Sequence, residues 1–95
     1  MTDAEAAASI VSDRIARDRR LSYEDLVTAC DEVANEDVVL ATGTAVVLGT
    51  STFWDDRPGG PVRRLIDVWI PKGVVSRSIA QDDFIKAPDG SFVGE

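Results

Sequence analysis

The chain is predicted to be an α+β domain, with one or two N-terminal helices packed on one face of a curved four-stranded antiparallel sheet. Three observations carry that prediction. Apolar residues recur at helical spacing through the first third. Segments rich in β-branched residues follow from Asp37 to Phe84, and each is joined to the next by a short turn containing Gly or Pro. At 95 residues there is material for one domain over 1–95. It divides into a helical part (3–34), an antiparallel meander (37–84) and a loose tail (85–95).

The first helix is placed at Asp3 to Arg19. Thr2 with Glu5 three positions on is a capping box, which satisfies amide donors that have no partner inside the helix. Ala7, Ile10, Val11 and Ile15 make an apolar stripe. Asp3 and Glu5 suit the positive end of the helix dipole, and Arg14, Arg17, Arg19 and Arg20 suit the negative end. Residues 21–35 admit two readings. Ser22 with Asp25 signals a second helix that would set Tyr23, Leu26, Val27, Cys30 and Val33 on one face, whereas Tyr, Val and Thr between Leu21 and Thr28 also suit a strand.

Strand 1 is expected at Asp37 to Thr42, turning through Gly43 into strand 2 at Ala45 to Trp54. The loop from Asp55 to Pro61, with two prolines and two glycines, reads as an exposed hairpin tip before strand 3 at Val62 to Ile70. Pro71-Lys72-Gly73 is the next turn, leading to strand 4 at Val74 to Gln81. Pro88-Asp89-Gly90 is a turn signal within a frayed end.

Composition excludes several classes of function. The net charge of −7 opposes sequence-independent binding to nucleic acid or to an anionic membrane, both of which require a positive field. With one cysteine and no histidine, no intrachain disulfide, no thiol or imidazole zinc site and no histidine-dependent nucleophile can be assembled. No metal or other cofactor is therefore expected. Neither a signal-peptide pattern nor an apolar run of membrane-spanning length is present, which makes a cytoplasmic location the default. Cys30 reads as a small buried hydrophobe, and the pairs Asp55/Asp56 and Asp82/Asp83 as solvated turn charges.

Strand 3 holds the candidate chemistry. Alternation sets Val62, Arg64, Ile66, Val68 and Ile70 on one face and Arg63, Leu65, Asp67 and Trp69 on the other. A carboxylate between Leu65 and Trp69 is either paired with a cation, for which Arg77 on strand 4 is the candidate, or desolvated and raised in pKa, as a ligand-facing group or general acid-base requires. Leu65, Asp67, Trp69 and Arg77 are thus the candidate binding residues. Asp67 and Tyr23 are the catalytic candidates. Trp54 and Trp69 read as core anchors ahead of ligand platforms.

Residues 37–49 (DVVLATGTAVVLG), 66–70 (IDVWI) and 78–82 (SIAQD) resemble the C-terminal half of the nuclear transport factor 2-like superfamily, in its SnoaL-like branch. The resemblance spans about residues 36–84. It implies a bent antiparallel sheet wrapped by helices into a cone, a cavity for a small apolar molecule, and self-association as a homodimer through the sheet. Complete members have further N-terminal elements, so this chain reads as a shortened one. The general base commonly lies in those missing elements, and no catalytic residue is carried over. Three functions follow as expectations: a cavity-bearing binding module without established catalysis; a proton-transfer isomerase, cyclase or dehydratase of the ketosteroid-isomerase kind; and an acidic interaction or inhibitory protein whose carboxylates cluster on one face.

Overall fold

The computed structural model describes residues 1–72 and 75–95. Helix α1 (Asp3–Asp18) and the short α2 (Tyr23–Thr28) precede strands β1 (Val33–Val39), β2 (Ala45–Trp54), β3 (Val62–Lys72) and β4 (Val75–Lys86). The four strands form one antiparallel sheet in the order β1-β2-β3-β4, so every neighbour in sequence is a neighbour in space. The class is α+β as predicted, and the sheet does not close on itself.

Both helices start as their sequences dictate. The Thr2 hydroxyl accepts from the Glu5 amide while the Glu5 carboxylate accepts from the Thr2 amide, and the Ser22 hydroxyl accepts from the Asp25 amide. Ala7, Val11 and Ile15 of α1 and Leu26 of α2 face inward. They pack on the even-numbered residues of the sheet, Val46 and Leu48 from β2, Val62, Ile66 and Val68 from β3, and Phe84 from β4. Each such fully buried aliphatic side chain contributes about 1.5–3 kcal/mol. Helix α1 lies over β3 and β4 and α2 touches β3, while β1 lies at the margin of the helical layer, reached by Arg14 of α1 through Glu36.

Several boundaries differ from the sequence reading. The second helix ends at Thr28 and the chain turns through Asp31, whose φ is 70°. Val33 belongs to β1, where it is 69% exposed, rather than to a helical apolar face. Strand β1 ends at Val39, not Thr42, because the β1–β2 reversal occupies Leu40 to Thr44, closed by the Leu40 amide on the Thr44 carbonyl. Pro71 and Lys72 are not turn residues; they extend β3 and pair with Ser76 and Val75. Gly73 of that expected turn, and the expected strand start at Val74, lie outside the described residues.

The end of the chain is held rather than frayed. Strand β4 runs on to Lys86, the chain reverses with Gly90 at φ 88°, and Phe92 returns to pair with Lys86. The Phe92 ring meets Phe84 edge-on at 5.9 Å and lies 3.8 Å beneath the Arg19 guanidinium, which also grips Glu95 through two 2.7 Å hydrogen bonds. Sequence logic saw too few apolar residues for an independent element. It missed that one aromatic can dock on an element already present.

The result is a two-layer slab of 40 × 27 × 19 Å with a radius of gyration of 14.1 Å. A compact chain of this length is expected near about 12.4 Å. The excess has a plain cause, since helices cover only one face of the sheet.

Candidate functional site

The two faces of the sheet differ in what they offer. Register fixes the open face as rows running across the strands: Asp37, Val47, Trp69 and Ser78; Asn35, Gly49, Asp67 and Gln81; Val33, Ser51, Leu65 and Asp83. The residues singled out on strand 3 lie here, on the face turned away from the helices, and not in a cavity between layers. Trp69 lies across Gly49. A Cβ added to Gly49 would stand 2.6 and 2.8 Å from two indole carbons, so the glycine is what lets the ring rest on the sheet.

Asp67 does not pair with Arg77. A β-bulge falls between Val68 and Trp69, so that Val68 opposes Ala80, Trp69 opposes Ser78 and Ile79 is the extra residue. Arg77 then opposes Ile70, on the other face from Asp67. Asp67 instead accepts a 2.6 Å hydrogen bond from the Ser78 hydroxyl. Adjacency of strands suggested the ion pair; register and the bulge exclude it. Tyr23 belongs to the opposite layer and donates its hydroxyl to the Gly60 carbonyl at 2.8 Å, pinning the β2–β3 loop. The fold therefore does not bring Asp67 and Tyr23 to one site.

A polar cleft of about 220 Å³ lies on the helix side, between the C-terminal half of α1 and strands β1 and β2. Arg14 and Arg17 of α1 and Arg64 of β3 line it from one direction, and Glu32 and Glu36 from the β1 direction, with Leu48, Thr50 and Thr52 also contributing. Beneath it Asp18, 2% exposed, accepts from Arg17 Nε at 2.8 Å and from Arg64 Nε at 2.9 Å, and Arg64 also donates to the Thr52 hydroxyl at 2.9 Å. Lys86 is buried nearby against the end of α1, donating to the carbonyls of Arg19 and Leu21. Arg14 reaches across to Glu36. These hydrogen bonds hold the last turn of α1 on β2, β3 and β4 and fix Arg64 in one orientation.

Reasoning from sequence missed this cleft, although two signals pointed to it. Arg64 falls between Val62 and Ile66 on the buried face of β3, and Asp18 continues the α1 stripe one turn beyond Ile15. A cation and an anion on the two inward faces require each other.

Titration follows local hydrogen bonding. Asp3, which accepts from Thr42 and Thr44 of the β1–β2 turn, and Glu5, held by the Thr2 amide and hydroxyl, both titrate below the ordinary carboxylate range. Desolvation, followed by the nearby charge of Asp31, pushes the Cys30 thiol up and lowers its reactivity. Among the described residues no three His, Cys, Asp or Glu side chains converge to hold a metal, and no helix is long and apolar enough to cross a membrane. Compared with protein families, with curated proteins and with solved structures, the chain matches none.

Proposed function

We propose that the chain is a non-catalytic binding module that works as a homodimer, closed through the open face of its sheet, with the helix-side cleft left free for a small ligand. The observation that carries this reading is the open face itself. Four strands about 4.8 Å apart and about ten residues long outline roughly 600 Å², close to the ~800 Å² that each partner contributes to a standard interface. The face mixes Val33, Val39, Val47, Phe53, Leu65 and Trp69 with polar neighbours, a composition suited to association between folded chains. Acidic residues on β1 and the bulge in β4 discourage pairing at the edges instead. The same reading places the chain among relatives of the nuclear transport factor 2-like superfamily. It also places it in the cytoplasm, where a lone Cys30 stays reduced. The polar lining of the cleft favours a charged ligand over the apolar one that the resemblance implies. Light scattering across a concentration series tests the dimer: twice the chain mass is expected, falling to one chain mass for Phe53→Glu with Leu65→Glu. A wild-type monomer at 100 μM (~1 mg/mL) overturns it.

A second reading, an acidic interaction protein, is favoured by the distribution of charge. Between Leu21 and Asp56 the chain carries eight carboxylates and neither Lys nor Arg, so this stretch holds −8 of the net −7 and the remainder is +1. All eight residues are exposed; four lie on α2 and β1 and two, Asp31 and Glu32, on the turn that joins them. Binding to a basic partner through this edge would weaken steeply with salt. Salt-independent capture would sink that reading.

A further inference from the structure

We infer that the helix-side cleft is a binding site for a free α-amino acid with a small aliphatic side chain, its carboxylate held by Arg17 and Arg64 and its ammonium by Glu32. The inference rests on the binding-module reading and names the ligand class of that cleft.

The charge balance of the walls carries it. Asp18 is shared between Arg17 and Arg64, so this group of three has a net charge of +1. Arg14 and Glu36 neutralise each other across the cleft. Among the described residues Glu32 has no ion pair, which leaves −1 on the β1 side. One positive and one negative charge therefore face a common space from separate elements, which is the complement of a zwitterion.

The donors are available as well. Arg64 spends Nε on Asp18 and Nη1 on Thr52, and Arg17 spends Nε on Asp18. Among the described hydrogen bonds Nη2 of Arg64 and both terminal nitrogens of Arg17 have no acceptor, and two guanidinium groups with free N–H groups suit a carboxylate. A simple anion satisfies only one wall and leaves Glu32 repelling it. An apolar molecule would strand the charges of both walls.

Size and lining set the side chain. A volume of about 220 Å³ is below the ~300–1,000 Å³ of sites for drug-sized molecules. The apolar part of the lining is Ala29, Ala34 and Leu48, which fits an aliphatic group no larger than that of leucine.

The test is a titration of the full chain with L-leucine, followed by backbone amide shifts of Ala34, Glu36, Thr50 and Thr52. N-acetyl-L-leucine, which lacks the ammonium, and L-leucinamide, which lacks the carboxylate, run in parallel. Saturable binding of L-leucine is expected, with each blocked form weaker by about tenfold or more. Glu32→Gln should weaken L-leucine by a similar factor while binding N-acetyl-L-leucine no less tightly than the parent, since it removes the repulsion of that anion, and Arg17→Gln should weaken both. Both substitutions are at exposed side chains, and circular dichroism confirms that the variants fold. Equal affinity for all three compounds, absence of L-leucine binding at 20 mM (roughly 100-fold over a 0.2 mM protein sample), or indifference to both substitutions overturns the inference. If acetate shifts the same amides and L-leucine does not, the zwitterion falls while the binding module stands. The dimer is decided separately, by scattering.

Discussion

Removing the Asp18 carboxylate should destabilise the chain more than any other single change at a charged residue. Its side chain is 3% exposed and is the acceptor for two guanidinium groups. The Arg17 contact, with that arginine 60% exposed, is worth only about 0–1 kcal/mol. Arg64 is the costly partner: it is 14% exposed, and in Asp18→Ala it keeps only Thr52. Stranding one member of a buried pair costs about 3–5 kcal/mol. Because Arg64 also borders the cleft and can recruit water, the low end, about 3 kcal/mol, is the expected loss. A domain of this length has roughly 5–14 kcal/mol in all, so Asp18→Ala should remain folded with its urea midpoint lowered by about 2 M at a slope near 1.5 kcal/mol/M. The double variant Asp18→Ala with Arg64→Met, measured at the same protein concentration, should recover most of that loss, since a buried pair replaced by apolar groups is often neutral. A single variant within about 0.5 kcal/mol of the parent, or a double variant no more stable than the single, refutes the assignment of this pair as the tie between α1 and the sheet.

Gly49→Ala should displace the Trp69 ring from its seat at a cost of about 1–3 kcal/mol, partly offset by the roughly 0.5–1 kcal/mol that alanine gains over glycine in a strand; a red-shifted tryptophan emission together with a lowered urea midpoint checks it. Phe92→Ala removes the edge contact with Phe84 and the Arg19 stacking, and should lower stability by about 1–2.5 kcal/mol while leaving the circular dichroism spectrum unchanged. On acidification, Asp3 and Glu5 have native pKa values below their unfolded ones, so their support is complete above the unfolded carboxylate range and fades as pH falls through the native values. Proton-linked NMR titration of Thr42→Val with Thr44→Val should return Asp3 toward its ordinary value, and an unmoved titration refutes the hydrogen-bond cause.

How much of this was legible in the sequence depends on the range of the interaction that decides it. Both helix starts are local: Thr2 with Glu5 was readable to the residue, while Ser22 with Asp25 marked α2 as one of two readings, the other being a strand. Strand β2 was placed at its observed bounds because a turn punctuates each end. The β1–β2 reversal was misplaced by a few residues, since Leu40 to Thr44 offers β-branched residues on both sides of Gly43 and only pairing decides where the ladder stops. Asp67 and Arg77 were joined because strand adjacency is readable while a bulge at Ile79 is not. The cleft depends on Asp18 meeting Arg64 across 46 residues. Each end of that contact carries a local signal, a charge on an inward face, but the meeting itself is tertiary.

The first helix finds its main cover on β4, and its end is fastened to Glu95, 76 positions away. During synthesis α1 is therefore exposed, apolar stripe outward, until β4 has emerged. The meander can zip strand by strand through short turns, but α1 must wait for β4. Closure of the slab is then a late event governed by a long loop. A nascent chain arrested before Phe84 would present an unclad sheet and a wandering amphipathic helix to the chaperones of the cell.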